Sequence, residues 1–522
     1  ALADIWFGQP SADLCVVAVT GTNGKTSCVQ WLAQALRTEG VPVGVIGTLG
    51  VTYPDGSTTD GQLTTPDVVS IHRTLAEMRK RGAEVVALEA SSIGLDQGRL
   101  DGVRISHAAF TNLSRDHLDY HLTMQAYEAA KLRLFAHPGL QGVVVNVDDP
   151  VGVKVARTVG VPAVTFSLSR QADSASLTAR DLSTNSRGAA FVLCENAECV
   201  SVQTQVLGAH NVANLLCVAG LLRQLGWSLS RVGVAFEKIE PVSGRLQRIV
   251  PVLSRSPSPT VVVDYAHTPD ALERVLRTLH ILAQSRGAKL WCVFGCGGNR
   301  DAGKRSLMGA VAQRLADRVV VTSDNPREEA PQAIIADIIA GLSSGAANVL
   351  IEVDRAQAIL HAVLSANAED IVLLAGKGHE AYQEVSGQRT AFDDGQWAQA
   401  GLMLRQECSV QTDSRKLDAG SVFVALRGDN FDGHDYLEQV AASGAVAAIV
   451  DQTNSQVALP QIALGDTRTA LLTLGRAWRK KFVLPIIAVT GSNGKTTTKE
   501  MIASILAEWV GEPNRLATMG NL

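Results

Sequence analysis

Along the 522-residue chain, continuous apolar runs alternate with stretches of helical periodicity. CVVAVT, EVVALEA, GVVVNV, TVVVDYA, LWCVFG, RVVVTS and DIVLLAG are rich in β-branched residues and carry no polar alternation. That is the pattern of strands covered on both faces of a parallel sheet. Between them, SCVQWLAQALRTEG has the spacing of an amphipathic helix and stops at Gly40. The strand–helix alternation predicts doubly wound α/β domains, and the length demands more than one core. Two places break the rhythm. Residues 165–206 predict short strands in an insertion, and PVSGRLQ at 241–247 marks a boundary between two α/β domains.

VVAVTGTNGKTSC at 16–28 returns as IIAVTGSNGKTTT at 486–498. Two copies of so specific a string predict two nucleotide-binding domains. In the first, a strand runs into Gly21, Thr22, Asn23, Gly24, Lys25, Thr26 and Ser27 and then a helix. Glycines let backbone wrap an anion at a helix N-terminus, Lys25 reaches phosphate oxygens, and the Thr26 hydroxyl suits Mg²⁺. The usual first glycine is replaced by Val19. Glu89 ends the strand EVVALEA, a place for a Mg²⁺ ligand or its water. Taken alone, His117 in SRDHLDYH reads more readily as a structural hydrogen-bonder, and Lys131 in AYEAAKLRLF by default as a solvated helix lysine. GCGGNRDAGKR (295–305), TSDNPREE (322–329) and AGKGHE (375–380) all follow apolar strands. Together they predict a pocket for an anionic or zwitterionic ligand.

Composition narrows the class. Lys and Arg total 47 against 51 Asp and Glu, so there is no basic field for nucleic acid and no polybasic membrane patch. No apolar run spans a bilayer, and ALADIWFGQP does not read as a signal peptide. Of eight cysteines, Cys194 and Cys199 are spaced to bridge a hairpin, and Cys292 with Cys296 to suggest a metal. Neither pair has a matching second half, so reduced core cysteines in a cytoplasmic protein are the expectation.

The ordered strings TGTNGKT, LEASS, SRDHLDYH, YEAAKLRLF, GAHNVANL, SGRLQ, DYAHTPDAL, GCGGNRD, SDNPR and GKGHE resemble the Mur ligases over about residues 1–400. More narrowly they resemble the branch that adds meso-diaminopimelate to UDP-N-acetylmuramoyl-L-alanyl-D-glutamate in cytoplasmic peptidoglycan synthesis. The resemblance implies an ATP-dependent ligase with two Mg²⁺ sites that works through an acyl-phosphate. It implies catalytic and metal roles for Lys25, Glu89, His117 and Lys131, the last as a carbamate, with Thr26 also on the metal. It places His210, Asn211 and Asn214 near adenine, and Arg245 and Asp264 on ATP from the C-terminal domain. Thr64, Thr65, Ser91, Gln97 and Arg99 are implied for the UDP-muramoyl dipeptide. Arg300, Asp324, Asn325, Arg327, Gly376 and Glu380 are implied for diaminopimelate, the DNPR string separating that amino acid from lysine. Ile93 departs from the histidine often found in the corresponding string. The family's N-terminal uridine-binding domain is not expected here, since the loop starts at Gly21.

TDSRKLDAGSVFVALRGDNFDGHDY and IAVTGSNGKTTTKEM, within 411–522, resemble the start of the D-Ala-D-Ala-adding relative. The implied organisation has a P-loop central domain at 1–244 and a Rossmann-like C-terminal ligase domain at 245–400. A small α/β uridine-binding-type domain follows at 401–484, then the start of a second ATP-binding domain at 485–522. Its phosphate loop has Gly491, Gly494, Lys495 and Thr496. This last piece is expected to lack the reaction of its relative, and the small domain to be loosely tethered. Two rivals stand beside this reading: a folylpolyglutamate-synthase-like ligase, and a non-catalytic scaffold that gathers other cell-wall synthesis enzymes.

Overall fold

The computed structural model describes residues 2–61, 63–169, 175–185, 188–343 and 347–518. These form two compact units, Ala1–Leu474 and Gly475–Leu522.

The first sheet of the large unit is built on β1 (Cys15–Thr20), β2 (Val43–Gly47), β3 (Val85–Glu89), β4 (His107–Phe110), β5 (Gly142–Asn146) and β6 (Ala163–Ser167). They pair in parallel in the order β6-β5-β4-β1-β3-β2. The apolar runs lack alternation because both faces are covered. Val17 and Val19 of β1 enter a core with α1 (Lys25–Thr38) and α2 (Ala209–Gln224). Val16 and Ala18 enter another with Ile71, Leu75 and Met78 of the helix Val68–Lys80.

The irregular segment is not made of short strands. β7 (Leu177–Asn185), β8 (Gly188–Glu195) and β9 (Glu198–Thr204) are long antiparallel strands that extend the same sheet from β6. Residues 170–174 and 186–187 of that segment lie outside the described residues. Cys194 and Cys199 stand directly opposite in the β8–β9 hairpin and are joined as a disulfide, against the expectation of reduced thiols. Directly paired positions bring two sulfurs within bonding reach. Cys292 and Cys296 are free, buried thiols.

The second sheet contains β10 (Thr260–Asp264), β11 (Leu290–Phe294), β12 (Arg318–Val321), β13 (Val349–Ile351) and β14 (Ile371–Ala375). Their order is β10-β14-β11-β12-β13, all parallel, with Gln247–Ile249 added antiparallel at the β10 edge. Two helices on this sheet matter below: α3 (Arg355–Ser365) and α4 (Asp394–Leu404).

A small parallel sheet follows, made of β15 (Val410–Gln411), β16 (Val422–Val424), β17 (Ala447–Val450) and β18 (Gln461–Ala463). Phe423, Leu437, Val440 and Val450 form its own core. It is not loosely tethered. Gln357 Nε2 donates to Thr473 O at 2.8 Å, and Ala463 N donates to Gln396 Oε1 at 2.9 Å. Polar groups on α3 and α4 thus satisfy main-chain atoms of the small domain.

In the second unit, the helix Lys495–Val510 follows the repeated glycine loop. The apolar stretch before that loop forms no strand among the described residues, and Ile486, Ile487 and Trp509 are exposed. A parallel strand needs neighbours to hold its backbone groups. No helix among the described residues is long and apolar enough to cross a membrane.

Candidate active site

The carboxyl ends of both large sheets open on one cavity of about 1370 Å³. Such ends are where open α/β sheets hold ligands, because loops there diverge at the strand-order reversal. Thr22 to Ser27, Glu89, His117, Lys131, His210, Asn211, Asn214, Thr64, Ser91 and Arg99 line it from the first sheet. Arg245, Asp264, Arg300, Asp324, Asn325, Arg327, Gly376 and Glu380 line it from the second.

The loop after β1 is held by its own contacts. Gly24 has φ 88°, and a Cβ there would lie 2.2 Å from Asn214 Oδ1, so a side chain is excluded. Lys25 Nζ donates to the carbonyls of Gly21 and Thr22, both at 2.9 Å. Burial lowers the Lys25 pKa, while Glu89 and Asp116 oppose that shift. Thr26 Oγ1 donates to Glu89 Oε2 at 3.0 Å. Thr48 donates to the same carboxylate from its N–H at 2.8 Å and its hydroxyl at 3.1 Å. Asn214 Nδ2 donates to Asn211 Oδ1 at 3.1 Å. Burial lowers the pKa of His210 to about 4.

Lys131 is not a solvated lysine. It is 1% exposed, donates to Gly21 O at 2.7 Å and sits over the Tyr127 ring. Burial and the charge of Lys25 hold its pKa well below the ordinary value. His117 adopts φ 53°, a left-handed conformation rare for a side-chain-bearing residue. Burial lowers its pKa to about 4, against the pull of Asp116. Asp116 is a residue the sequence reading passed over, though it stands inside SRDHLDYH. Its carboxylate lies 3.5 Å from His117 Nε2 and 3.6 Å from His267 Nε2. Burial works to raise its pKa, but His267, His117 and Lys304 bring it well below the usual carboxylate range.

Thr65 and Gln97 are not among the residues that line the cavity. Thr65 Oγ1 donates to Glu89 O at 2.7 Å and accepts from Ser91 N at 2.9 Å. Gln97 Oε1 accepts from Arg99 Nε at 3.0 Å and Nη2 at 2.6 Å, aiming the guanidinium.

On the second sheet, Asp264 accepts from Leu246 N at 2.7 Å and Ala266 N at 2.8 Å, leaving lone pairs for a ligand hydroxyl. Its burial raises its pKa, against Arg245. Arg300 meets Asp119 across the cleft at 3.7 Å. Asn325 Nδ2 donates to Glu380 Oε2 at 2.7 Å and its Oδ1 accepts from Lys377 Nζ at 3.1 Å. Lys377, fully buried and 3.9 Å from Asp324, was also missed, although AGKGHE contains it. Burial, then the charge of Asp324, raises the Glu380 pKa. Gly376 has φ 114°, and a Cβ would lie 2.5 Å from Asp324 Oδ2. Arg327, at φ 52°, donates to Gly298 O at 2.7 Å. The second loop, Gly491 to Thr496, belongs to the other unit, where Lys495 Nζ donates to Gly491 O at 2.5 Å.

Among the described residues, no three His, Cys, Asp or Glu side chains gather as a metal cluster. Hard-oxygen donors are nevertheless present side by side in Thr26 and Glu89, the kind of ligand Mg²⁺ takes.

Sequence profiles match along the chain: the Mur ligase middle domain at 19–222 and again at 489–521, the Mur ligase glutamate ligase domain at 244–378, and the Mur ligase family catalytic domain at 409–477. The chain is 50% identical over 412 residues to the UDP-N-acetylmuramoyl-L-alanyl-D-glutamate–2,6-diaminopimelate ligase of Acidovorax sp. (strain JS42), covering 77% of this chain and 81% of that one. It is 47% identical over 415 residues to the protein of the same name from Janthinobacterium sp. (strain Marseille), with 77% and 81% covered. A solved structure of such a ligase superposes with TM-score 0.53 at 38% identity, over 75% of this chain and 79% of that one. The folylpolyglutamate synthase of Mycobacterium tuberculosis shares the fold alone, with TM-score 0.56 at 17% identity over 72% and 91%. With half of its aligned residues shared across four-fifths of a curated ligase, this chain belongs to the Mur ligase family.

Proposed function

We propose that the chain joins meso-diaminopimelate to the D-Glu side chain of UDP-N-acetylmuramoyl-L-alanyl-D-glutamate at the expense of ATP. The observation that carries this reading is the shared cavity. A phosphate loop with Lys25 and Thr26 and a polar pocket with Asp324, Asn325, Arg327 and Glu380 line the same space. Relatives of the same name, about half identical, support it.

The D-Glu carboxylate attacks the γ-phosphorus, the bond to ADP breaks, and an acyl-phosphate forms. The neutral amine of diaminopimelate then attacks the acyl carbon, phosphate leaves and the amine proton is released. Lys25, pre-oriented by its two carbonyl contacts, faces the charge on the transferring phosphoryl group. Glu89 and Thr26 would hold Mg²⁺, which would supply charge neutralisation. His117 would serve a second site. Lys131, buried and with a depressed pKa, gives up its proton more readily than an ordinary lysine, which suits it to take up CO₂ with loss of a proton, giving the carbamate of that site. Arg99, aimed by Gln97, holds the nucleotide-linked peptide with Thr64 and Ser91. His210, Asn211 and Asn214 flank adenine, and Asp264 the ribose. Holding both partners in one closed cleft supplies the proximity that such a two-step transfer needs. Consumption of ATP and a UDP-linked precursor places the work in the cytoplasm.

Residues from about 411 onward are the start of a second ligase, of the D-Ala-D-Ala-adding kind. Two profile matches and the repeated loop support a second Mur-type segment, and the D-Ala-D-Ala-adding kind rests on the resemblance of its strings.

The test is ligation with UDP-muramoyl dipeptide, ATP and meso-diaminopimelate, against folate and glutamate as alternative substrates. Tripeptide and ADP formed in equal amounts support the reading; turnover only with folate would sink it.

A further inference from the structure

Arg355 opens α3 and Asp394 opens α4; they are 1% and 0% exposed. The guanidinium grips the carboxylate with both edges, Nε to Oδ1 at 2.7 Å and Nη2 to Oδ2 at 2.6 Å. Ions this deep are costly unless every donor is used. Here the remaining contacts go to main chain: Nη1 donates to Ser323 O at 3.2 Å and Nη2 to Ala375 O at 3.0 Å.

Those two carbonyls are not arbitrary. Ser323 immediately precedes Asp324 and Asn325, and Ala375 immediately precedes Gly376. The strands that lead to them, β12 and β14, are not neighbours, because β11 runs between them. No ladder hydrogen bond therefore sets the distance from one loop to the other. At their tips the loops touch through Asn325, Lys377 and Glu380, of which Asn325 and Glu380 also line the cavity. Beneath them, one rigid planar fork spans the same gap from below. Lysine, a point charge without a fork, has no geometry to do this.

We infer that Arg355, locked by Asp394, is a positioning residue for the amino-acid pocket: it sets the spacing between the Asp324–Arg327 loop and the Gly376–Glu380 loop. This rests on the reading that these loops receive diaminopimelate. Neither Arg355 nor Asp394 lines the cavity. Their loss separates the two halves of the pocket and leaves the phosphate loop, on the other sheet, as it was.

The test uses the full chain with Asp394→Asn and with the double variant Arg355→Gln/Asp394→Asn. The double variant removes both charges together, so it avoids the stranded ion that makes single losses in buried pairs so damaging. Each substrate is varied in steady state, and folding is followed by thermal melting and by ADP titration. The expected result is a diaminopimelate KM raised at least tenfold, with the KM for ATP and for the dipeptide within twofold of the unmodified protein. An unchanged diaminopimelate KM overturns the proposal. So does a proportional fall in kcat with all three KM values, or loss of folding in both variants, since either makes the pair a general stability element. If the unmodified protein does not use diaminopimelate at all, the functional reading fails first and this inference with it.

Discussion

Arg245 donates from Nη2 to the Thr26 hydroxyl at 3.1 Å, while its guanidinium lies over the Tyr265 ring at 4.5 Å. A side chain at the entry to the second sheet is thereby seated on the phosphate loop of the first. Asn23 answers from the other direction, its Nδ2 donating to Asp270 Oδ2 at 3.2 Å. The proposed nucleotide site therefore draws on both lobes.

Arg245→Ala is expected to raise the KM for ATP about tenfold or more, since a contact to a charged group is worth roughly 1.5–3 kcal/mol. The diaminopimelate KM should move far less. Steady-state kinetics with each substrate varied decides it, and an ATP KM within twofold of the unmodified protein rules the role out.

Arg327 is expected to select diaminopimelate over lysine. Its guanidinium is anchored on Gly298 O at 2.7 Å, leaving its other edge for a distal carboxylate that lysine lacks. Loss of that contact costs on the order of 2–4 kcal/mol, because a charged partner is left unpaired. Arg327→Lys should not restore it. Competition between the two amino acids is the measurement, and equal use of both by the unmodified protein contradicts the assignment.

Lys131→Ala is expected to abolish ligation, with no rescue by bicarbonate. The unmodified protein incubated with ¹³C-bicarbonate should show a carbamate carbon resonance that the variant lacks. Wild-type turnover by the variant would remove Lys131 from the mechanism.

Stability should fall on acidification from about pH 6.5 toward 4. Burial lowers the pKa values of His210 and His379 to about 4 from an ordinary 6.5. Within that window the unfolded chain binds protons that the folded chain refuses, so unfolding is favoured as pH drops. Above pH 6.5 both states hold neutral imidazoles and these groups contribute no slope. Melting temperatures between pH 7.5 and 4.5 test this, and His379→Gln should flatten part of the decline.

The parallel strands were legible in the sequence because burial on both faces writes itself as an unbroken apolar run, as in CVVAVT and DIVLLAG. The phosphate loop was legible because its spacing is local. Lys131 was not: nothing around it in AYEAAKLRLF shows that Tyr127 and the Gly21 carbonyl will enclose it. Asp116 and His267 are far apart in the chain, and only the folded cleft brings them to 3.6 Å. The β8–β9 hairpin and its disulfide depended on a register that cysteine counting does not supply. The strand expected before the second glycine loop did not form, since strand propensity alone provides no neighbour for its backbone.

The small domain stands on the same two helices that hold the proposed amino-acid pocket. Gln357, which reaches Thr473, is two residues from Arg355; Gln396, which receives Ala463 N, is two residues from Asp394. A displacement of these helix N-termini would therefore act on both. By thermodynamic reciprocity, whatever factor pocket occupancy imposes on binding at the small domain, occupancy of the small domain imposes on the pocket. The proposed pocket and the small domain would then share an equilibrium, through the first turns of α3 and α4.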